Sequence, residues 1–132
     1  MVGVMVVIED GYPNKNQYRK FNIKSVSKSN DPASLKEVLT RRFNHPEWKV
    51  PNLIVVDGNI IQQKVAEAVL KEKSLQIPVI AVVKDERHKP KALIGDGNLI
   101  KKYKQAILLA NSEAHRFAIK FHKEKRAATF LR

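Results

Sequence analysis

The stretch PNLIVVDG, residues 51–58, decides the fold class. Leu53, Ile54, Val55 and Val56 run without a polar break between Pro51 and Gly58. A short apolar run rich in β-branched residues, bounded by Pro and Gly, is a strand buried on both faces, the kind found inside α/β sheets. The run closes on Asp57, so a carboxylate stands at the C-terminal end of a buried strand, the lip where open α/β sheets place their ligands. Two roles are open to it: a site carboxylate, or the start of a turn that caps the next helix. Gly58 permits a sharp turn there.

Working outward, residues 77–83 read as a second buried strand, opened by Pro78. Between the two strands Ile61, Val65, Ala68 and Val69 recur at helical spacing. Strand, helix and strand in this order make a parallel βαβ unit. Upstream, residues 2–8 are nearly all apolar and β-branched and stop at Glu9-Asp10-Gly11-Tyr12-Pro13, a strand and a turn. Residues 17–26 alternate as a half-exposed strand and complete an antiparallel hairpin. Asn30 or Asp31, followed by Pro32, marks a helix start, and Leu35, Val38, Leu39 and Arg42 share one face to its end. Residues 84–91 (KDERHKPK) form a charged loop after the second buried strand, at the same lip as Asp57. A last helix is expected over residues 99–126, with Ile107, Ala110, Ala114, Phe117, Ala118 and Phe121 as its buried stripe. The expected architecture is therefore α/β, a mixed sheet flanked by helices in one domain over residues 1–132. That order is compatible with a ribonuclease H-like fold missing one strand. The unpaired edge left by that strand predicts association through it.

Composition narrows the partner. Lys and Arg number 25 against 13 Asp and Glu, a net charge of +12 on 132 residues. Such an excess favours a polyanion, most often nucleic acid, held through its phosphates. The charge is spread along the chain with no separate amphipathic basic helix, which argues against a membrane surface. No apolar run reaches 18 residues, and residues 1–8 lack the basic region and cleavage site of a signal peptide. There is no cysteine, which excludes disulfides, thiol nucleophiles and thiolate zinc sites and fits a cytoplasmic protein. No P-loop, dinucleotide fingerprint or nucleophile elbow is present, so nucleotide hydrolysis and serine hydrolysis are disfavoured.

The residues left to carry chemistry are acidic, imidazole and basic. Asp57, Asp85 and Glu86 follow buried strands, where oxygen ligands for a hard divalent cation would stand. His115 and His122, seven residues apart, share one flank of the last helix beside its apolar stripe. Each is either a ligand or acid–base group, or a structurally hydrogen-bonded histidine. His88 in the charged loop is open to the same two roles, and His45 beside Pro46 reads as a loop residue. Tyr18-Arg19-Lys20-Phe21 is either a strip that stacks on bases and pairs with phosphates, or an edge strand with its aromatics in the core. Lys101, Lys102, Lys104, Lys120, Lys123, Lys125 and Arg126 make the last helix strongly basic.

Together six collinear blocks resemble the C-terminal endonuclease half of the UvrC excinucleases. They are VGVMVVIEDG (2–11), PNKNQYRKFNIK (13–24), NDPASLKEVLTRRF (30–43), PNLIVVDG (51–58), IPVIAVVKDERHKP (77–90) and EAHRFAIKFHKEKR (113–126). The resemblance implies a ribonuclease H-like, Mg2+- or Mn2+-dependent DNA endonuclease that makes the 5′ incision in nucleotide excision repair. It implies damaged duplex DNA and the UvrA–UvrB repair machinery as partners. By position Asp57 resembles a catalytic carboxylate and metal ligand, His115 the catalytic histidine and a second ligand, and Asp31 a further acidic residue. Tyr18, Arg19, Lys20, Lys84, Arg116, Lys123 and Arg126 are the expected DNA contacts. The chain also departs from the family. The strand that carries the family's first aspartate precedes the segment equivalent to Val2 and is absent. Asn59-Ile60-Ile61-Gln62 stands where Gly-Lys-Gly-Gln is usual, and Asn111-Ser112 where Arg-Asp is usual. The other modules of the full-length family are also missing: the GIY-YIG nuclease, the helicase-docking segment and the paired helix-hairpin-helix. A catalytically inactive nucleic-acid-binding remnant is the alternative, and an endonuclease V-like enzyme, which lacks the EAHRF block, a weaker third.

Overall fold

The apolar runs pair into one mixed sheet of seven strands. The computed structural model describes residues 2–24, 31–120 and 125–131. The first long run is β1 (Val2–Glu9). The chain reverses through Asp10 and Gly11, both at positive φ, and returns as β2 (Tyr12–Pro13) and β3 (Arg19–Asn22) with a 3-10 turn between them. Both pair antiparallel with β1, Ile8 opposite Pro13 and Val2 opposite Asn22, which is the expected hairpin. Next come α1 (Asp31–Arg42), β4 (Leu53–Asp57), α2 (Ile60–Glu72) and β5 (Val79–Lys84). β4 and β5 pair in parallel, which is the expected βαβ unit.

Three strands lie beyond the sequence-based expectation, the short β2 among them, which falls in the expected turn. β6 (Pro90–Ile94) returns along β5 from what was expected to be loop. The larger difference is at the end of the chain. α3 (Gly97–Ile119) stops short of residue 126, and residues after it form β7 (Lys125–Leu131). β7 lies between β1 and β4, parallel to the first and antiparallel to the second. The order across the sheet is β2-β1-β7-β4-β5-β6, with β3 also on β1. The cause is tertiary. A gap between β1 and β4 would leave two rows of unpaired backbone N–H and C=O groups, whose cost exceeds the weak helix preference of two alanines. The edge expected to be open is thus filled, and association through it loses its basis. Arg126 stands on a strand instead of a helix; its side chain, Lys123 and His122 lie outside the described residues.

Strand alternation sorts the side chains into two cores. Met5, Val7, Ile54, Val56, Ala128 and Phe130 face α1 and α2. Ile8, Leu53, Val55, Ile80, Val82 and Leu131 face Ile107 and Ala110 of α3. Farther along α3, Ala114 packs on Val6 and Ala118 on Val4. α1 ends on Arg42, which is 1% exposed. Its guanidinium donates to the Lys49 carbonyl at 2.6 Å and lies 5.0 Å from the centroids of both Phe43 and Phe130, so it ties α1 to β7.

Candidate active site

The parity that buries Leu53 and Val55 against α3 turns Asp57 to the same face, and the parity of Ile80 and Val82 does so for Lys84. Because β4 and β5 are parallel, both residues stand at one lip of the sheet. Lys84 Nζ lies 3.3 Å from Asp57 Oδ1. The Asp57 side chain is 40% exposed and Lys84 15%, so the carboxylate still faces solvent while the ammonium is largely enclosed. Asp57 does not cap the following helix. That work falls to Asn59, whose Oδ1 accepts from the Ile61 N–H, while Gln62 Oε1 accepts from the Asn59 N–H, both at 2.9 Å. The reciprocal cap needs Gly58: at its φ of 142° a Cβ would fall 2.5 Å from the Gln62 side chain. Helix capping is therefore not the work of Asp57, which stands where the chain turns out of β4.

α3 brings His115 to this lip. β1 runs antiparallel to β4 across β7, so its N-terminal half lies at the end where Asp57 stands. Ala114 and Ala118 pack on that half, and His115 stands exposed between them. His88 meets it from the β5–β6 turn, the two rings nearly parallel (22°) with centroids 6.5 Å apart. The turn is closed on Asp85. Asp85 Oδ1 accepts from the Arg87 and Lys89 N–H groups at 2.8 and 3.0 Å, and its N–H donates to the Lys89 carbonyl at 2.8 Å. The Lys89 and Arg87 amides hold the Asp85 carboxyl below its usual range. His88 takes a φ of 63° in this turn, a left-handed conformation that histidine tolerates better than most residues. Neither composition nor spacing marked His88 as a partner of His115. The only signal was its place in the charged loop at the lip.

The rest of the EAHRF block anchors the helix. Glu113 accepts from the Tyr18 hydroxyl at 2.7 Å and from Arg116 through two bonds, at 2.8 and 3.0 Å. Arg116 first, then Tyr18, holds the Glu113 carboxyl at about 2, while burial pushes the Tyr18 phenol up. A carboxyl depressed on folding stabilises the protein above its unfolded value and ceases to do so as pH falls through its folded value. Glu113→Gln is thus expected to lower stability by about 1 kcal/mol at pH 7, the gain being limited by solvent at Arg116. The difference from the parent should fade between pH 4.5 and about 2, as thermal melts across that range would show.

The other expected contacts are placed as follows. Tyr18 is corrected: it is buried, its ring edge-on to Phe117 at 5.1 Å and its hydroxyl committed to Glu113, so it offers no face to a base. The backbone pattern put an aromatic there, and the core claimed it. Arg19 turns to the opposite face, donating to the Asn16 and Tyr18 carbonyls beside Trp48. Lys20 is exposed opposite Val4, toward the lip. Arg116 is half exposed while bonded to Glu113. Asp31 opens α1 in the other helical layer, and its side chain lies outside the described residues. His45 stacks on Trp48 at 3.9 Å and bonds Glu47, a loop role.

Residues 1–119 match the family model described as the UvrC RNAse H endonuclease domain. The chain belongs to this family. Among its relatives is UvrABC system protein C of Caldicellulosiruptor saccharolyticus, 42% identical over 132 residues that cover 95% of this chain and 22% of the relative. That of Thermoanaerobacter pseudethanolicus is 40% identical over 152 residues, covering 98% of this chain and 25% of the relative. The chain thus spans about a quarter of the length of the curated relatives it matches. As a UvrC-type endonuclease domain it carries a general need for a divalent metal. Asp57 is paired with Lys84, and no three His, Asp or Glu groups converge among the described residues. No helix among them is long and apolar enough to cross a membrane.

Proposed function

We propose that this chain is the strand-cutting domain of an excinuclease, making the 5′ incision beside a lesion in duplex DNA within the UvrA–UvrB repair machinery of the cytoplasm. The observation that supports it is the Asp57–Lys84 pair at the ends of β4 and β5, with His88 of the following turn facing His115 of α3, on a chain with a net charge of +12. The reading assigns Asp57 and His115 as ligands of Mg2+ or Mn2+, with Asp31 as the further carboxylate. The ion would activate water and stabilise the leaving oxygen. The chain's own groups do the rest. Lys84 orients the Asp57 carboxylate, His115 is the acid–base group where it is not a ligand, and Lys20, Arg116, Lys123 and Arg126 neutralise backbone phosphates. Cleavage of a labelled lesion-containing duplex by the purified chain in Mn2+, Mg2+ or EDTA tests the reading. Metal-dependent nicking supports it.

The second reading is a nucleic-acid-binding remnant of the same family. The Asp57–Lys84 pair favours it, because a carboxylate neutralised by an enclosed ammonium draws a cation weakly. Salt-sensitive binding without cleavage in any metal would select it.

A further inference from the structure

The lip opposite Asp57 holds a cleft of about 510 Å3 that the incision reading does not use. Ile8, Leu53 and Leu131 floor it from the strands, and Leu99, Tyr103 and Ala106 of α3 form one wall. The size is that of a small-ligand pocket, apolar with few polar groups. Those groups are Asp10 and Asn52, both exposed at its edge.

The wall is unusual. Tyr103 stands at a kink in α3, at φ −114° and ψ 20°, where two helical segments meet. Its ring is 40% exposed, and Lys102 Nζ lies 5.2 Å from the ring centroid. Lys101 and Lys104 flank it, both exposed, and line an adjoining hollow that shares Gly11 and Tyr103 with the cleft. Next to Gly11, Tyr12 is 75% exposed. An apolar slot with an aromatic wall takes a flat ring, and a row of lysines beside it takes anions in sequence. Unpaired nucleotides present both. Duplex bases, paired and stacked, cannot enter.

We propose that this cleft receives an unstacked base of single-stranded DNA against Tyr103, with the flanking phosphates on Lys101 and Lys104. The Asp10 carboxylate and Asn52 amide stand where a base edge presents its donors and acceptors. The site is separated from Asp57 by the length of β4, roughly 15 Å. It is therefore suited to holding a displaced strand while the other lip meets a backbone.

The test compares binding of a labelled oligothymidylate and of a blunt duplex to the full chain, by fluorescence anisotropy, and needs no cleavage activity. Tyr103→Ala is expected to weaken oligothymidylate binding roughly 5- to 100-fold, the range for one lost base–aromatic stack, with duplex binding unchanged. Tyr103→Phe should restore it. Lys101→Glu and Lys104→Glu should each weaken it and reduce the salt dependence by about one phosphate. Because the ring is partly exposed, melts should stay near the parent's, and a variant that unfolds is replaced by the lysine pair. Equal loss of duplex binding would overturn the proposal, as would parent-like oligothymidylate binding by Tyr103→Ala. Displacement of the oligothymidylate by an acidic, leucine-containing peptide at lower concentration than by unlabelled oligothymidylate would also overturn it, assigning the cleft to a protein partner.

Discussion

Ala128→Asp is expected to leave the chain without a cooperative unfolding transition. Ala128 is fully buried on β7, opposite Met5 on one side and Val56 on the other. A carboxylate there would be ionised without a partner or neutral without a full set of hydrogen bonds, at several kcal/mol in either state. That is a large part of the 5–15 kcal/mol that holds a typical domain folded, roughly. Phe130→Ala gives the graded version. It removes a buried ring that packs on Phe43 at 6.1 Å and on the Arg42 guanidinium, for a loss of about 3–5 kcal/mol. Circular dichroism melts of both variants check this. A loss below about 1 kcal/mol for Phe130→Ala would show that β7 does not occupy the middle of the sheet.

Asp57→Ala is expected to move cutting and binding in opposite directions. If Asp57 is a site carboxylate, metal-dependent nicking falls by about 100- to 10,000-fold, the usual span for removing a group that acts in the chemical step. The same change removes the anion 3.3 Å from Lys84 Nζ and leaves that ammonium to a phosphate. Duplex affinity at low salt should therefore rise by about 2- to 5-fold, with a steeper salt dependence. His115→Ala should lower nicking comparably, without the gain in binding. Unchanged nicking in Asp57→Ala would remove Asp57 from the site. Tighter binding with no nicking in either protein would select the remnant reading.

Much of this was legible in the chain itself. The buried runs at 53–56 and 77–83, and the helical spacing between them, specified the βαβ unit, because burial on both faces leaves few other arrangements. Arg42 at the end of α1 also stood where spacing put it, although its enclosure by Phe43 and Phe130 was not foreseeable. The expected helix ran past the end of α3 to residue 126, into the first two residues of β7, because the apolar stripe of α3 continues in the sequence to Phe121; the rest of β7 carried no signal of its own. Only the space between β1 and β4 decides it. The place of Asp57 at the end of β4 followed from its strand. His88 did not, since its approach to His115 depends on a left-handed turn closed by Asp85. Alternation could place Tyr18 on a strand but not choose between a base and Glu113.

The position of β7 bears on how the chain reaches its folded state in the cell. On the ribosome every other described strand emerges before it, and β1 and β4 cannot be joined until it arrives. Two unsatisfied edges and the core on either side of them stay open until residues 125–131 are made, exposed to chaperones and to other nascent chains. Completion of the sheet is thereby coupled to the synthesis of residues 125–131, and a product truncated before them would keep both edges of the gap open.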